Sequence, residues 1–396
     1  MTQGERRLIC LMGLSHALVH SYMLIFPVVL LLIIKEFSIG YFLAGLVGTI
    51  SGFAFGLGAL PAGIFADRVG AKRLIVVYLA GASLSSILVG LSTSFFFFAM
   101  GLGTLGLFCS FFHPSGYALV SSGTREMGRA FGYVGAAGNI GLALAPLLVG
   151  YLASHLGWRM AFALFSIPGF LLVSLVFLLR TGVSTARPVV SSRANPFTSS
   201  ASGGPFLTLP LLLLCFAYAM NGLTFQGAMT FLPTYLSQGV RQGVIQGDAV
   251  TLGGTLASMA LMVGVFGQYM GGRLGQGPQV ERSLLTINAS CVPFLILMGF
   301  KRDYFLLLAA FGFAFFHFAN HPLLNVILAK NTSARLRGLG YGLAFFLSFG
   351  VGSFSATLSG YIAERLGLNA VFFAMAAVTF LQALSVLFLW KLGPRS

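Results

Sequence analysis

Twelve stretches of roughly twenty residues run through this chain with almost no Asp, Glu, Lys or Arg inside them, and a chain so built cannot bury its apolar surface in water. They lie at about 8–34, 41–62, 74–92, 95–121, 130–154, 158–180, 207–236, 250–270, 284–300, 304–329, 339–362 and 368–392. Hydrocarbon offers the backbone no hydrogen-bond partner, so each stretch has to satisfy its own N–H and C=O groups as a helix. Only 8% of the residues are charged, against about 25% in a soluble domain. The 51 Gly and 40 Phe suit helices packed closely in lipid. The expected fold is therefore an all-α membrane protein of twelve transmembrane helices. A segment rich in Ser, Thr, Gly, Pro and Arg, 181–206, divides it into six-helix bundles at 1–180 and 207–396, and its composition suits a flexible tether.

The net charge of +15 does not form the stripe that a nucleic-acid binder would present. Seventeen of the 23 Lys and Arg fall on one set of alternate connections, the set that includes both termini. The positive-inside rule then puts both termini in the cytoplasm of what is expected to be a bacterial inner membrane. Cys10, Cys109, Cys215 and Cys291 stand far apart in apolar surroundings, so neither a disulfide framework nor a metal site is expected. Nothing in the chain has the form of a phosphate-binding loop, a nucleotide fingerprint or a nucleophile with its base, so no cofactor and no enzyme activity is expected.

The two halves repeat one another. Phe112-His-Pro, followed by Arg129-Ala-Phe-Gly-Tyr133, returns as Asn320-His-Pro, followed by Arg337-Gly-Leu-Gly-Tyr341, and Leu46-Val-Gly-Thr49 returns as Leu252-Gly-Gly-Thr255. Parallel six-helix repeats are the plan of major facilitator transporters, which bind substrate near the midplane between two pseudo-symmetric bundles. The loop after span two, Gly63-Ile-Phe-Ala-Asp67-Arg68-Val-Gly70-Ala-Lys72-Arg73, resembles the signature loop of that superfamily, with Ala71 where a basic residue is usual. The resemblance implies a conformational latch made by Gly63, Asp67, Arg68, Gly70, Lys72 and Arg73. Gly132, Gly141, Pro146 and Gly150 in span five resemble the glycine-proline motif of superfamily antiporters, which implies a bent helix at the interface between halves. A narrower resemblance joins His16-x-x-x-His20, Pro27, Phe112-His113-Pro114, Gly138-Asn139 and Ala145-Pro-Leu-Leu148 to the fosmidomycin-resistance branch of exporters, in which an Asp usually occupies the position of His20.

All eight acids fall at helix ends or in loops, which leaves histidine as the side chain able to change charge near neutral pH inside the membrane. His16, His20, His113, His317 and His321 lie in spans one, four and ten, and the family resemblance places those spans around the central cavity. His16 and His20, like His317 and His321, are four residues apart and share a helix face. These five, with Tyr22, Tyr117, Asn139, Tyr218, Asn221 and Gln226, are the candidate substrate or proton pathway. A competing structural role is strongest for His113 and His321, each of which precedes a proline that frees backbone carbonyls. The expected activity is alternating-access transport by a monomer, with proton-coupled export of a small neutral or anionic compound favoured. Uptake of an organic acid is the alternative, and a non-transporting sensor is a more distant one. Membrane lipid, the substrate and protons are the expected partners.

Overall fold

A computed structural model describes residues 1–179, 208–240, 248–300, 302–332 and 337–392. The 181–206 tether lies outside them. The helices are α1 (Gln3–Phe37), α2 (Tyr41–Val69), α3 (Ala71–Gly90), α4 (Phe95–Cys109), α5 (Phe112–Gly123), α6 (Met127–Leu156) and α7 (Trp158–Leu178). The second half contributes α8 (Leu209–Gly239), α9 (Ala249–Leu274), α10 (Val280–Phe300), α11 (Asp303–Asn331), α12 (Arg337–Phe345), α13 (Phe354–Leu366) and α14 (Leu368–Leu392). They make twelve membrane spans, because α4 with α5 forms one and α12 with α13 forms another.

Both composite spans break over a few identifiable residues. Pro114 has no N–H to offer the carbonyl four residues before it, and the chain tightens there: the Ser110 N–H is shared between the Gly106 and Leu107 carbonyls, and that of Phe111 turns back to Phe108. The same His-Pro pair at His321-Pro322 leaves α11 continuous. In the eleventh span, Phe346–Val351 forms a π-helical turn, closed by the Gly352 N–H on the Leu347 carbonyl at 2.9 Å. Gly222 of α8 lies against this turn, where a Cβ would collide with the Ser348 carbonyl.

Two seams join the halves, and both lie at the end opposite the basic connections. In one, α2 packs on α13 so closely that Gly45 abuts the Ala356 carbonyl and Gly56 abuts the Gly350 backbone, while the Thr49 hydroxyl donates to the Ser353 carbonyl at 2.7 Å. In the other, α6 packs on α9: the Pro146 carbonyl meets Gly254, Ser258 donates to the Ala143 carbonyl, and Ser154 donates to Asp248. Such small-residue contacts supply the dispersion that holds helices together in lipid. At the basic end no hydrogen bond joins the halves among the described residues, and space opens beside Gly132, Gly135 and Gly342. Among the described residues the hydrogen-bonded contacts between the halves therefore lie at one end of the bundle.

Candidate functional site

The histidine geometry follows from how α1 meets α6. Gly138 leaves room for the His16 ring, since a Cβ there would come within 2.5 Å of Nδ1, and that nitrogen lies 2.9 Å from the Val134 carbonyl. A carbonyl can only accept, so His16 carries its proton on Nδ1 and turns the Nε2 lone pair toward His20. His20 Nε2 lies 3.0 Å away and donates. Its Nδ1 is then a bare acceptor, buried and without a partner among the described residues. His113, at the start of α5, stands edge-on to both rings, with centroids 5.2 and 5.7 Å away, and its Nδ1 is also unpartnered.

The second half brings its own pair. His317 is 1% exposed, stacked on Phe225 with centroids 5.7 Å apart, and its Nε2 has no partner among the described residues. His321 is one turn on, with its ring centroid 5.6 Å from that of His317. Phe345 of α12 lies against His113, with ring centroids 5.0 Å apart, which makes an aromatic contact between the halves. Five of the six histidines thus gather where the halves meet. His155 stands apart at the sealed end, bonded to the Tyr151 carbonyl.

The other candidate residues divide. Tyr117 flanks His16 and His113, with ring centroids 6.2 and 6.0 Å away. Asn221 is buried with its Oδ1 unpartnered among the described residues, and Gln226 lines a small cavity beyond the histidines. Tyr22 lines the same cavity while donating to the Phe165 carbonyl inside the first bundle, whereas Tyr218 donates to Asn325 inside the second. Asn139 is half-buried on α6 with no hydrogen bond among the described residues. Neither His113 nor His321 bonds a backbone carbonyl among the described residues, so the prolines do not account for them. Sequence reasoning passed over Asn320, which is fully buried with both amide atoms unpartnered, and the aromatic collar of Phe55, Phe225 and Phe345. The Asn320-His-Pro motif was a visible signal for the first; nothing local distinguished those phenylalanines among 40.

Among the described residues no hydrogen bond of the signature loop joins the halves. Lys72 binds the Phe177 and Leu179 carbonyls at 3.1 and 2.7 Å, tying α3 to the end of α7 within one bundle. Arg73 reaches back to Val69, Arg68 is exposed, and Gly70 turns the chain with φ 97°. The Asp67 side chain lies outside the described residues. Span five runs through Pro146 as the single helix α6. Gly132 faces open space there, Gly141 lies on the Ala17 backbone, and Pro146 and Gly150 pack against α9, so the motif serves close approach.

One ring nitrogen from each of His16, His20 and His113 lies within 4.8 Å of the others, a spacing at which three imidazoles could hold a divalent cation. The His16–His20 hydrogen bond commits two of those nitrogens to each other, and no carboxylate or thiolate joins the group among the described residues. A chain of imidazoles ending in bare acceptors is suited to receiving a proton and holding an anion beside it.

The sequence profile of the Major Facilitator Superfamily matches residues 10–357. The chain belongs to that superfamily. It is an integral membrane protein, a transporter and not an enzyme. Among curated relatives, the sialic acid transporter NanX of Escherichia coli (strain K12) is 25% identical over 89% of this chain and 86% of its own length. Multidrug resistance protein MdtG of Klebsiella pneumoniae (strain 342) is 27% identical over 86% of this chain and 82% of its own. Among solved structures, a bacterial homologue of the human lysosomal transporter Spinster, inward-facing and occupied, superposes with a TM-score of 0.78 at 16% identity, covering 99% of this chain and 98% of that one. The nucleoside transporter NupG gives 0.77 at 13% identity, covering 98% and 100%. These structural likenesses concern the fold alone.

Proposed function

We propose that the protein moves a small organic anion together with a proton, by alternating access around the histidines. The observation that carries this reading is the convergence of five imidazoles from both halves in a membrane interior that holds no acid. An anion beside an imidazole favours its charged form, and by linkage the protonated ring favours the anion. Proton and anion therefore bind cooperatively. Cooperative loading gives co-transport, and an inward proton gradient then drives uptake. Export by exchange would need the two to compete for one site, which a histidine pocket does not provide for an anion. The sialic acid transporter among the relatives supports an acidic substrate, as does the resemblance of residues 13–150 to the fosmidomycin-resistance branch. The multidrug-resistance relatives support export, the direction that the sequence resemblance favoured.

The Lys and Arg distribution supports a cytoplasmic basic end in a bacterial inner membrane. On that orientation the α2–α13 and α6–α9 seams close the outside. Reconstitution in proteoliposomes with a pH gradient of either sign tests the proposal, with labelled small carboxylates such as butyrate as the first probes and sialic acid as a larger one. Accumulation should follow the proton gradient. Movement against it would establish exchange and hence export.

A further inference from the structure

One turn beyond His20 along α1, toward the sealed end, Met23 and Phe26 line a cavity of about 60 Å³. Phe55, Leu102 and Leu105 supply its other apolar walls, and Gln226 enters from the second half. The Phe55 ring also stands edge-on to His113, with centroids 5.9 Å apart, so cavity and imidazoles share a wall. The Gln226 carboxamide makes no hydrogen bond among the described residues. It is a free polar group in a chamber that Tyr22, Ser51 and Thr230 also line, beyond the groups that would hold a charge.

Volume constrains the occupant. A water needs about 10–15 Å³ on this measure, while an engineered apolar cavity of about 150 Å³ takes up benzene. At about 60 Å³ the chamber has room for a short aliphatic piece and none for an aromatic ring. We infer that it is the subsite for the uncharged end of the substrate. The transported anion is then a carboxylate with a short aliphatic arm, its head among His16, His20 and His113 and a hydroxyl or carbonyl on the arm meeting Gln226. This rests on the anion reading above and adds the size and polarity of what the anion carries.

The test is competition by a series of carboxylates (acetate, butyrate, 4-hydroxybutyrate, hexanoate and phenylacetate) measured on full-length protein in detergent and in proteoliposomes. The native protein should favour the four-carbon acids and reject phenylacetate. Leu105→Ala should enlarge the chamber and improve hexanoate or phenylacetate relative to butyrate by about tenfold, equivalent to roughly 1.4 kcal/mol. Leu105→Phe should fill the chamber and weaken butyrate while sparing acetate. Gln226→Leu should remove the advantage of 4-hydroxybutyrate over butyrate. The same ranking in all four proteins overturns the subsite and leaves the anion reading standing. Failure of every carboxylate to bind the native protein overturns the anion reading itself. Opposite shifts in the two Leu105 variants separate a change in volume from general damage, which would weaken every acid alike.

Discussion

Glu364 of the second half accepts the backbone N–H of Phe42 in the first, at 2.9 Å, where α2 begins. A helix N-terminus leaves its first N–H groups unpaired and carries partial positive charge, so a carboxylate from across the seam completes it. The repeat-related seam has its own acid: Asp248 caps α9 through the N–H groups of Val250 and Thr251 and receives the Ser154 hydroxyl from α6. Each seam is thus pinned at its rim by one carboxylate on a helix N-terminus. Glu364→Ala should cost the closed rim on the order of 1 kcal/mol and increase the outward-open population severalfold. Spin-label distances across that end would report the change, and an unaltered distribution would deny Glu364 a role.

Asp248 should not be the source of pH dependence. Partial burial pushes its carboxyl up, but the Ser154 hydroxyl, the Thr251 and Val250 N–H groups and the Thr251 hydroxyl together hold it below the usual carboxylate range. A lowered value means the tie is complete above the free carboxyl value near ~3.9 and is lost only as pH falls through the depressed one. Between about pH 5 and 8 the rim stays pinned. Asp248→Asn should keep the cap and alter turnover, while the pH profile of transport keeps its shape. A profile displaced by that change would move proton sensing to the rim.

Histidine should carry that profile instead. His20→Gln or His317→Gln keeps polarity and comparable bulk but cannot take a charge, so gradient-driven flux should fall at least tenfold, about 1.4 kcal/mol in the coupling. Exchange of labelled substrate without a gradient should survive better. Undiminished driven flux in both variants is incompatible with imidazole coupling.

The α2–α13 seam tolerates no added atom at Gly45, where a Cβ collides with the Ala356 carbonyl. Gly45→Val should prevent closure at this end and abolish turnover while the protein remains folded. Accessibility of a cysteine placed between the halves to a membrane-impermeant reagent should become permanently outward. Labelling that still alternates would show that the seam can widen.

Asp67→Asn concerns the opposite state. If the signature loop latches the halves once the basic end closes, the variant should turn over more slowly with nearly normal equilibrium binding. Binding and flux measured on the same preparation decide it.

The spans were legible because freedom from charge over about twenty residues is a physical requirement of hydrocarbon and shows in composition alone. The histidines were legible for a related reason, since an ionisable group at that depth needs a purpose. What escaped depends on neighbours distant in sequence. Gly138 reads as an ordinary membrane glycine until the His16 ring is found against it. The two His-Pro pairs look equivalent, yet one span breaks and the other does not, because surrounding contacts decide whether a freed carbonyl ends a helix. Glu364 could be placed at a helix end from sequence, but not opposite Phe42, which is 322 residues away.

The π-helical turn at Phe346–Val351 divides the eleventh span into unequal levers. On one arm rides Phe345, against His113; on the other, the contacts of Ser353, Ala356 and Glu364 with α2. A π-turn inside an α-helix often marks a functional site, and here it stands between the ring over His113 and the fastened rim. A variant that restores a regular α-helix at this turn would shift Phe345 relative to Ser353 and Glu364, and so would couple the two contacts that the turn now separates.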